Sequence, residues 1–182
     1  NIFNYIQARY NFDPSANDQF TIPRARSDIW GDIAPNLGYF FELDATTSPA
    51  VIYSWIDLKP NSNTKVSVGR FYYPFGLEYT TPPSKFDTIN PTTTLWNFFG
   101  YSRDIGLQVS SNFDNFKYAV AIVNGADNQL ADDNDTKDLV GRMVLTPITN
   151  VSFGVSSYNG KTGTTEAEKI VLGYELNYSY ES

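Results

Sequence analysis

Hydrophobic and polar residues alternate along much of the chain, with the period of two that places successive side chains on opposite faces of a β-strand. In YIQARYNFD (5–13), Ile6 and Ala8 fall on one face, whereas Gln7 and Arg9 fall on the other. The same alternation recurs in LGYFFELDA (37–45), RDIGLQVSS (103–111), NVSFGVSS (150–157) and IVLGYELNYSY (170–180). These patterns predict an all-β protein.

Ten strands are predicted, and several are long enough to cross a bilayer. A tilted transmembrane strand needs about 9 to 11 residues, whereas strands of soluble proteins are most often about 5 or 6 residues long. The strands are expected at about 2–13, 20–33, 37–47, 50–59, 65–75, 103–113, 116–125, 138–147, 150–159 and 169–181. In the fourth and fifth strands the pattern does not decide which face is which, because Tyr53 and Trp55 alternate with Ile52 and Ile56.

The predicted connections differ in length at the two ends of the strands. Those after the second, fourth, sixth and eighth strands are compact, whereas three later ones are long, at about 76–102, 126–137 and 160–168. Short turns at one end and long loops at the other are typical of outer-membrane barrels. The pattern therefore favours an antiparallel up-and-down transmembrane β-barrel, with a soluble β-sandwich as the alternative.

Composition excludes several classes of function. The 182 residues include 13 Lys and Arg against 20 Asp and Glu, a net charge of -7 that argues against binding to nucleic acid. The chain has no Cys and no His, so thiolate or imidazole metal sites and catalysis by a Ser-His-Asp triad are excluded. We predict no catalytic residue, no metal site and no cofactor, and therefore no enzyme.

Five segments resemble, in order, the phosphate-selective porin O and P family. That family has an Arg-x-Arg strand followed by a hairpin that ends in an acidic strand, then Gly-x-Phe, Pro-Phe-Gly and Arg-x-Ile-Gly. The matching segments are FTIPRARSDIWGDIAPNLGYFFELD (20–44), VGRFYYPFGLE (68–78), RDIGLQVS (103–110), YAVAIVNG (118–125) and DLVGRMVLTP (138–147). Each motif is weak by itself, but their common order over nearly the whole chain is more specific.

The resemblance implies a channel in the outer membrane of a Gram-negative bacterium. Members of the family form 16-stranded barrels that assemble as homotrimers, with membrane lipid and lipopolysaccharide as partners. Residues 1–182 would then form a single barrel domain of about ten strands, which is either an N-terminal portion of such a porin or a smaller relative. The acidic segment 126–138 does not match the spacing of an EF-hand. It is expected to be a solvated loop, and bridging to lipopolysaccharide through divalent ions is the other role for its acids.

Charged residues on the polar faces of the strands are the candidate lining of a pore. Arginine suits an anion pathway because its planar fork donates two hydrogen bonds to phosphate or carboxylate oxygens. Structural ion pairing is the alternative role, because acids accompany the arginines. The candidate basic residues are Arg9, Arg24, Arg26 and Arg142, and the candidate acidic residues are Asp28, Glu42, Asp44, Asp104 and Glu175.

The third external loop, at about 76–102, is expected to fold inward and narrow the channel, with Glu78, Lys85 and Asp87 as its ionisable residues. A solvated surface loop is the alternative. Aromatic residues near strand ends are expected at the membrane interface, where the ring meets lipid and polar atoms meet headgroups. These residues are Tyr39, Phe71, Tyr73, Tyr178 and Tyr180.

The sequence thus predicts an outer-membrane porin that lets small hydrophilic solutes and ions diffuse passively, with a possible preference for anions such as phosphate. Two other functions stay open. A β-sandwich could bind carbohydrate through exposed aromatic rings, and a small barrel with a filled interior could serve as an anchor or adhesin through its loops.

Overall fold

The structure, a computed structural model, describes residues 1–12, 14–15, 17–48, 50–85, 103–126, 131–132, 134–162 and 166–179. Within these residues the chain forms ten strands and one short 3-10 helix at Pro83–Lys85. No helix in this part of the chain is long and apolar enough to span a membrane. The strands are β1 (Ile2–Asn11), β2 (Gln19–Ala34), β3 (Leu37–Asp44), β4 (Val51–Leu58), β5 (Thr64–Tyr72), β6 (Arg103–Asn112), β7 (Phe116–Val123), β8 (Asp138–Ile148), β9 (Val151–Thr162) and β10 (Ala167–Tyr178).

The ten strands form one sheet in which each strand pairs with the next along the chain, from β1 to β10. The pairs are antiparallel, as a meander of hairpins requires. Among the described residues, β1 pairs only with β2 and β10 only with β9. The predicted all-β, up-and-down architecture is confirmed, and a sandwich of two sheets does not describe this part of the chain.

The connections follow the predicted alternation of length, with one exception. After β2, β4, β6 and β8 they span 35–36, 59–63, 113–115 and 149–150, and after β5 and β7 they span 73–102 and 124–137. The connection after β9 is only 163–166, shorter than predicted, because Thr162 and Ala167 still face each other in the β9–β10 ladder.

One face of the sheet, here called the apolar face, exposes a continuous band of large hydrophobic side chains. The strand register aligns five of them in a row across β4 to β8, namely Ile56, Val68, Leu107, Ile122 and Leu139. Each of the five is between 44% and 54% exposed, and on β10 the exposed fraction of Leu176 reaches 69%. An exposed apolar band of this extent indicates contact with a nonpolar medium or partner.

The opposite face, here called the polar face, carries the charged residues, and the structure settles the orientation of β4. Trp55 stacks on Phe40 with ring centroids 4.2 Å apart, and Tyr53 pairs with Glu42. Both rings therefore lie on the polar face. A register shift between Glu42 and Leu43 leaves Ile52 as an extra residue in β4.

Glycine at position 69 is required because the backbone of β4 approaches it closely. Its backbone φ is +138°, and residues that carry a Cβ rarely adopt this backbone conformation. A Cβ on this residue would also lie 2.7 Å from the Cα of Trp55. The Gly-x-Phe motif of the sequence thus has a structural cause.

Residues 73–85, here called the inward segment, cover part of the polar face after β5. Phe71, Tyr73, Phe75 and Tyr79 form a buried cluster with residues of β7, β8 and β9, namely Ala121, Val123, Val140 and Tyr158. The rings of Tyr73 and Tyr158 meet edge to face with centroids 5.6 Å apart. The backbone N–H of Gly76 donates to Oγ of Ser156 at 2.9 Å. The main core of the described residues is therefore the contact between the inward segment and the sheet.

Candidate functional site: the polar face

Arg26 is held between two carboxylates at one end of the β2–β3 ladder. The register places Arg26 directly opposite Asp44, and Glu42 lies two residues further along β3. Nε of Arg26 donates to Asp44 at 2.8 Å and Nη1 donates to Glu42 at 2.5 Å. All three side chains are at most 9% exposed. The guanidinium of Arg26 therefore forms ion pairs that stabilise the sheet.

Arg24 lies next along the same face of β2 and has a neutral partner, because its Nη1 donates to Oε1 of Gln7 at 2.7 Å. Arg9 lies on β1 opposite Thr21, and its Nε is buried without a hydrogen-bond partner in the described residues. Asp28 lies opposite Glu42, and its Oδ1 is likewise buried and unpartnered there. Together with Arg26, these predicted residues form one group on β1, β2 and β3.

Arg142 lies on β8, well away from the other predicted arginines. It forms an ion pair with Glu175 on β10 by reaching across the intervening strand β9. Gly154 makes this contact possible, since a Cβ at that position would collide with the carboxylate of Glu175. The four predicted arginines thus form two separate groups and not one continuous ladder.

A further cationic and aromatic cluster, not predicted from the sequence, lies near the start of the inward segment. The rings of Tyr53 and Tyr72 stack with centroids 3.9 Å apart, and Cζ of Arg103 lies 5.5 Å from the Tyr53 ring centroid. Arg70 is buried beside them, at 3% exposed, and donates to the carbonyl oxygen of Val51 at 3.4 Å. The presence of Arg in both family motifs, VGRFYYPFGLE and RDIGLQVS, was the signal that could have identified Arg70 and Arg103.

Asp104 belongs to the scaffold beneath the inward segment and has no open surface. Its carboxylate is fully buried and accepts hydrogen bonds from the backbone N–H groups of Ile105 and Gly125, at 2.6 and 2.7 Å. The hydroxyl of Tyr73 adds a third, at 3.3 Å. Asp138, also fully buried, accepts from the Tyr158 hydroxyl and the Lys161 N–H in the same way.

The three ionisable residues predicted for the third loop have different positions. Glu78 lies within the inward segment, where its carbonyl oxygen accepts from the N–H of Thr81 at 3.1 Å. Lys85 ends the short helix and is exposed. Asp87 and the rest of the loop, 86–102, lie outside the described residues.

The aromatic residues predicted for the membrane interface lie in two different environments. Tyr39 and Tyr178 lie on the apolar face, and Tyr178 is 66% exposed. Phe71 and Tyr73 are at most 3% exposed and belong to the buried cluster, so the prediction that they face lipid is wrong. The cause is the inward segment, which turns back over the polar face and encloses both rings. Tyr180 lies outside the described residues.

One meandering sheet with an apolar face toward a nonpolar medium and a charged face opposite defines the transmembrane β-barrel class of outer-membrane proteins. Residues 3–182 match the family model described as phosphate-selective porin O and P, and the chain belongs to this family of outer-membrane porins. The predicted family, fold class and outer-membrane location are confirmed. No curated protein matches the chain.

Proposed function

We propose that the chain contributes the wall of a water-filled channel through which small hydrophilic solutes and ions diffuse passively. The observation that carries this proposal is the division of the sheet into two faces. Ile56, Val68 and Leu107 form part of an exposed aliphatic row, whereas Arg26, Glu42 and Asp44 form a charged group opposite. A membrane barrel needs apolar groups toward lipid and can place charged groups only toward water.

The anion preference of this channel is proposed to be modest. Arg26 and Arg142, two of the four candidate anion contacts, are already paired with carboxylates. A paired guanidinium offers a passing anion fewer free donors and less net charge. Arg9, whose Nε is buried without a hydrogen-bond partner among the described residues, is the stronger candidate for attracting anions.

The inward segment is proposed to narrow the channel. Its rings occupy space on the polar face above β7, β8 and β9, which a lumen would otherwise extend into. Glu78 lies on this segment and Lys85 at its end, where ionisable groups would meet solutes at the narrow part. Homotrimeric assembly and contact with lipopolysaccharide complete the proposal and rest on the family resemblance.

Single-channel recording in a planar bilayer under a KCl gradient tests this function, with the whole protein that contains this chain. We expect stable current steps and a reversal potential displaced toward the chloride potential. Replacing Arg9 by Gln should move the reversal potential toward zero, whereas replacing the exposed Lys161 by Gln should not. Inserted protein without current steps would contradict the channel, and a cation-favouring potential would contradict the anion preference.

A further inference from the structure

A cavity of about 620 Å³ opens on the polar face near the compact turns. Its walls come from the turns after β2 and β4, from strands β5 to β8, and from Pro74 and Thr80 of the inward segment. This volume lies within the range of about 300 to 1,000 Å³ that is usual for small-molecule sites. None of the candidate pore residues except Arg142 lies along it, so it is separate from the arginines of β1 and β2.

The cavity carries an excess of one positive charge. Its four cationic residues are Lys59, Lys65, Lys117 and Arg142. Three of them face a carboxylate: Lys59 pairs with Asp32, Lys65 with Asp57 at 3.3 Å, and Arg142 with Glu175. Lys117 has no hydrogen bond or ion pair in the part of the chain that the structure describes. Three of the four cationic side chains are thus paired with a carboxylate, and the Lys117 ammonium is the one positive charge that is not.

Polar side chains of β6 line the wall beside Lys117. Asn112 lies directly opposite Lys117 in the β6–β7 ladder, and both residues line the cavity. Ser110 lies opposite Ala119 in the β6–β7 ladder, and Lys117 lies two residues from Ala119 on the same face of β7. Residues in this diagonal relation lie within reach of each other. A ligand that contacts the Lys117 ammonium can therefore also contact the Ser110 hydroxyl.

We propose that this cavity binds small polyhydroxylated monocarboxylates, of the sugar-acid type, as they pass through the channel. The Lys117 ammonium would bind the carboxylate in a charge-assisted hydrogen bond, and Ser110 would bind a hydroxyl of the ligand. The assignment rests on the proposed channel for the route by which the ligand arrives. An inorganic phosphate dianion fits less well, because only one charge is unmatched and the fork of Arg142 is occupied by Glu175.

Isothermal titration of the whole protein in detergent tests the site without requiring conductance. The probes are gluconate, sorbitol, acetate and inorganic phosphate. Sorbitol has the hydroxyl groups without the charge, and acetate has the charge without the hydroxyl groups. We expect gluconate to bind more tightly than each of the other three. The loss of one charge-assisted hydrogen bond in Lys117→Gln should weaken gluconate binding by about tenfold or more.

The matched control is Lys161→Gln, since Lys161 pairs with Glu166 at 2.7 Å and does not line this cavity. A second variant, Ser110→Ala, should weaken gluconate binding and leave acetate binding unchanged. Equal binding of gluconate and phosphate, equal binding of gluconate and acetate, or full gluconate binding by Lys117→Gln would each overturn the proposal. Because titration needs no current, a channel that conducts KCl but ignores gluconate would leave the proposed function intact and remove only this site.

Discussion

At the scale of single residues, the polar face is stabilised by ion pairs whose members would be costly to leave unmatched. Arg26 serves both Glu42 and Asp44, and the three side chains are nearly excluded from solvent. Removing one member of a buried ion pair leaves a charge without its partner, which costs more than the intact pair contributes. The pairs at the exposed surface, such as Lys161 with Glu166, contribute little by comparison.

Replacing Arg26 by Met should therefore lower the free energy of unfolding by about 3 kcal/mol, since two buried carboxylates lose their common cation. Tryptophan fluorescence during urea unfolding of the protein in lipid vesicles measures this change. The control is Lys161→Met, which removes an exposed pair and should cost less than about 1 kcal/mol. Equal losses in the two variants would contradict the structural role assigned to Arg26.

Gly69 is the second residue whose replacement has a definite expected result. Gly69→Ala should destabilise the protein by roughly 1 to 3 kcal/mol, because its φ is positive and a Cβ would collide with the backbone of β4. Gly141→Ala is the matched control, since the atoms nearest to its Cβ lie 3.8 Å away. The midpoints of urea unfolding compare the two. A Gly69→Ala midpoint that matches that of Gly141→Ala would show that the close approach of β4 and β5 is not required.

At the scale of elements, the inward segment is held on the sheet by a few specific contacts. Phe75 is 3% exposed, and its ring lies against Gly173 of β10. The N–H of Gly76 and the ring of Tyr73 contact β9. Loss of one of these anchors should let the segment move without disrupting the strand ladder.

Phe75→Ala is thus expected to raise the single-channel conductance and its fluctuations, because the segment loses its contact with β10. Recording in a planar bilayer at a fixed KCl concentration measures both quantities. Leu77→Ala is the control within the same segment, since Leu77 is 45% exposed and should leave conductance unchanged. Unchanged conductance in Phe75→Ala would mean that the inward segment does not narrow the channel.

The strands could be predicted from the sequence because alternation is a local property. In β10 every second residue from Ile170 to Tyr178 is apolar and exposed, and no other described segment covers these side chains. In β4 the alternation is ambiguous because both faces carry large apolar side chains. The aromatic rings of Tyr53 and Trp55 lie on the polar face, and the aliphatic side chain of Ile56 lies on the apolar face. The extra residue at Ile52 shifts the register further, and an isolated strand pattern does not reveal such a bulge.

The candidate site was predicted in part for the same reason. Arg26 and Asp44 could be assigned to polar faces from alternation alone, but their pairing depends on the register between two strands. The burial of Phe71 and Tyr73 depends on a segment that turns back across three strands, which is a tertiary contact. Lys117 was not predicted as a binding residue. It differs from the other lysines of the cavity because it has no partner among the described residues, and the sequence alone does not show which side chains are its neighbours.

At the scale of the whole molecule, one face of the sheet suits contact with lipid and the other suits contact with water. The row from Ile56 to Leu139 and the charged groups around Arg26 and Arg142 lie on opposite sides of the same ten strands. This division explains how a chain with a mean hydropathy of -0.34 belongs to a family of membrane channels. The central claim is that the polar face borders a water-filled lumen and the apolar face borders lipid.

Cysteine accessibility along β6 tests that claim most directly, because the chain contains no Cys of its own. Single cysteines replace Gln108 and Ser110 on the polar face, and Leu107 and Val109 on the apolar face. Each variant is recorded in a bilayer while a charged, membrane-impermeant thiosulfonate is added. We predict that current falls in the Gln108 and Ser110 variants and is unchanged in the Leu107 and Val109 variants. Reaction at Leu107 and Val109, or equal reaction at all four positions, would contradict the account.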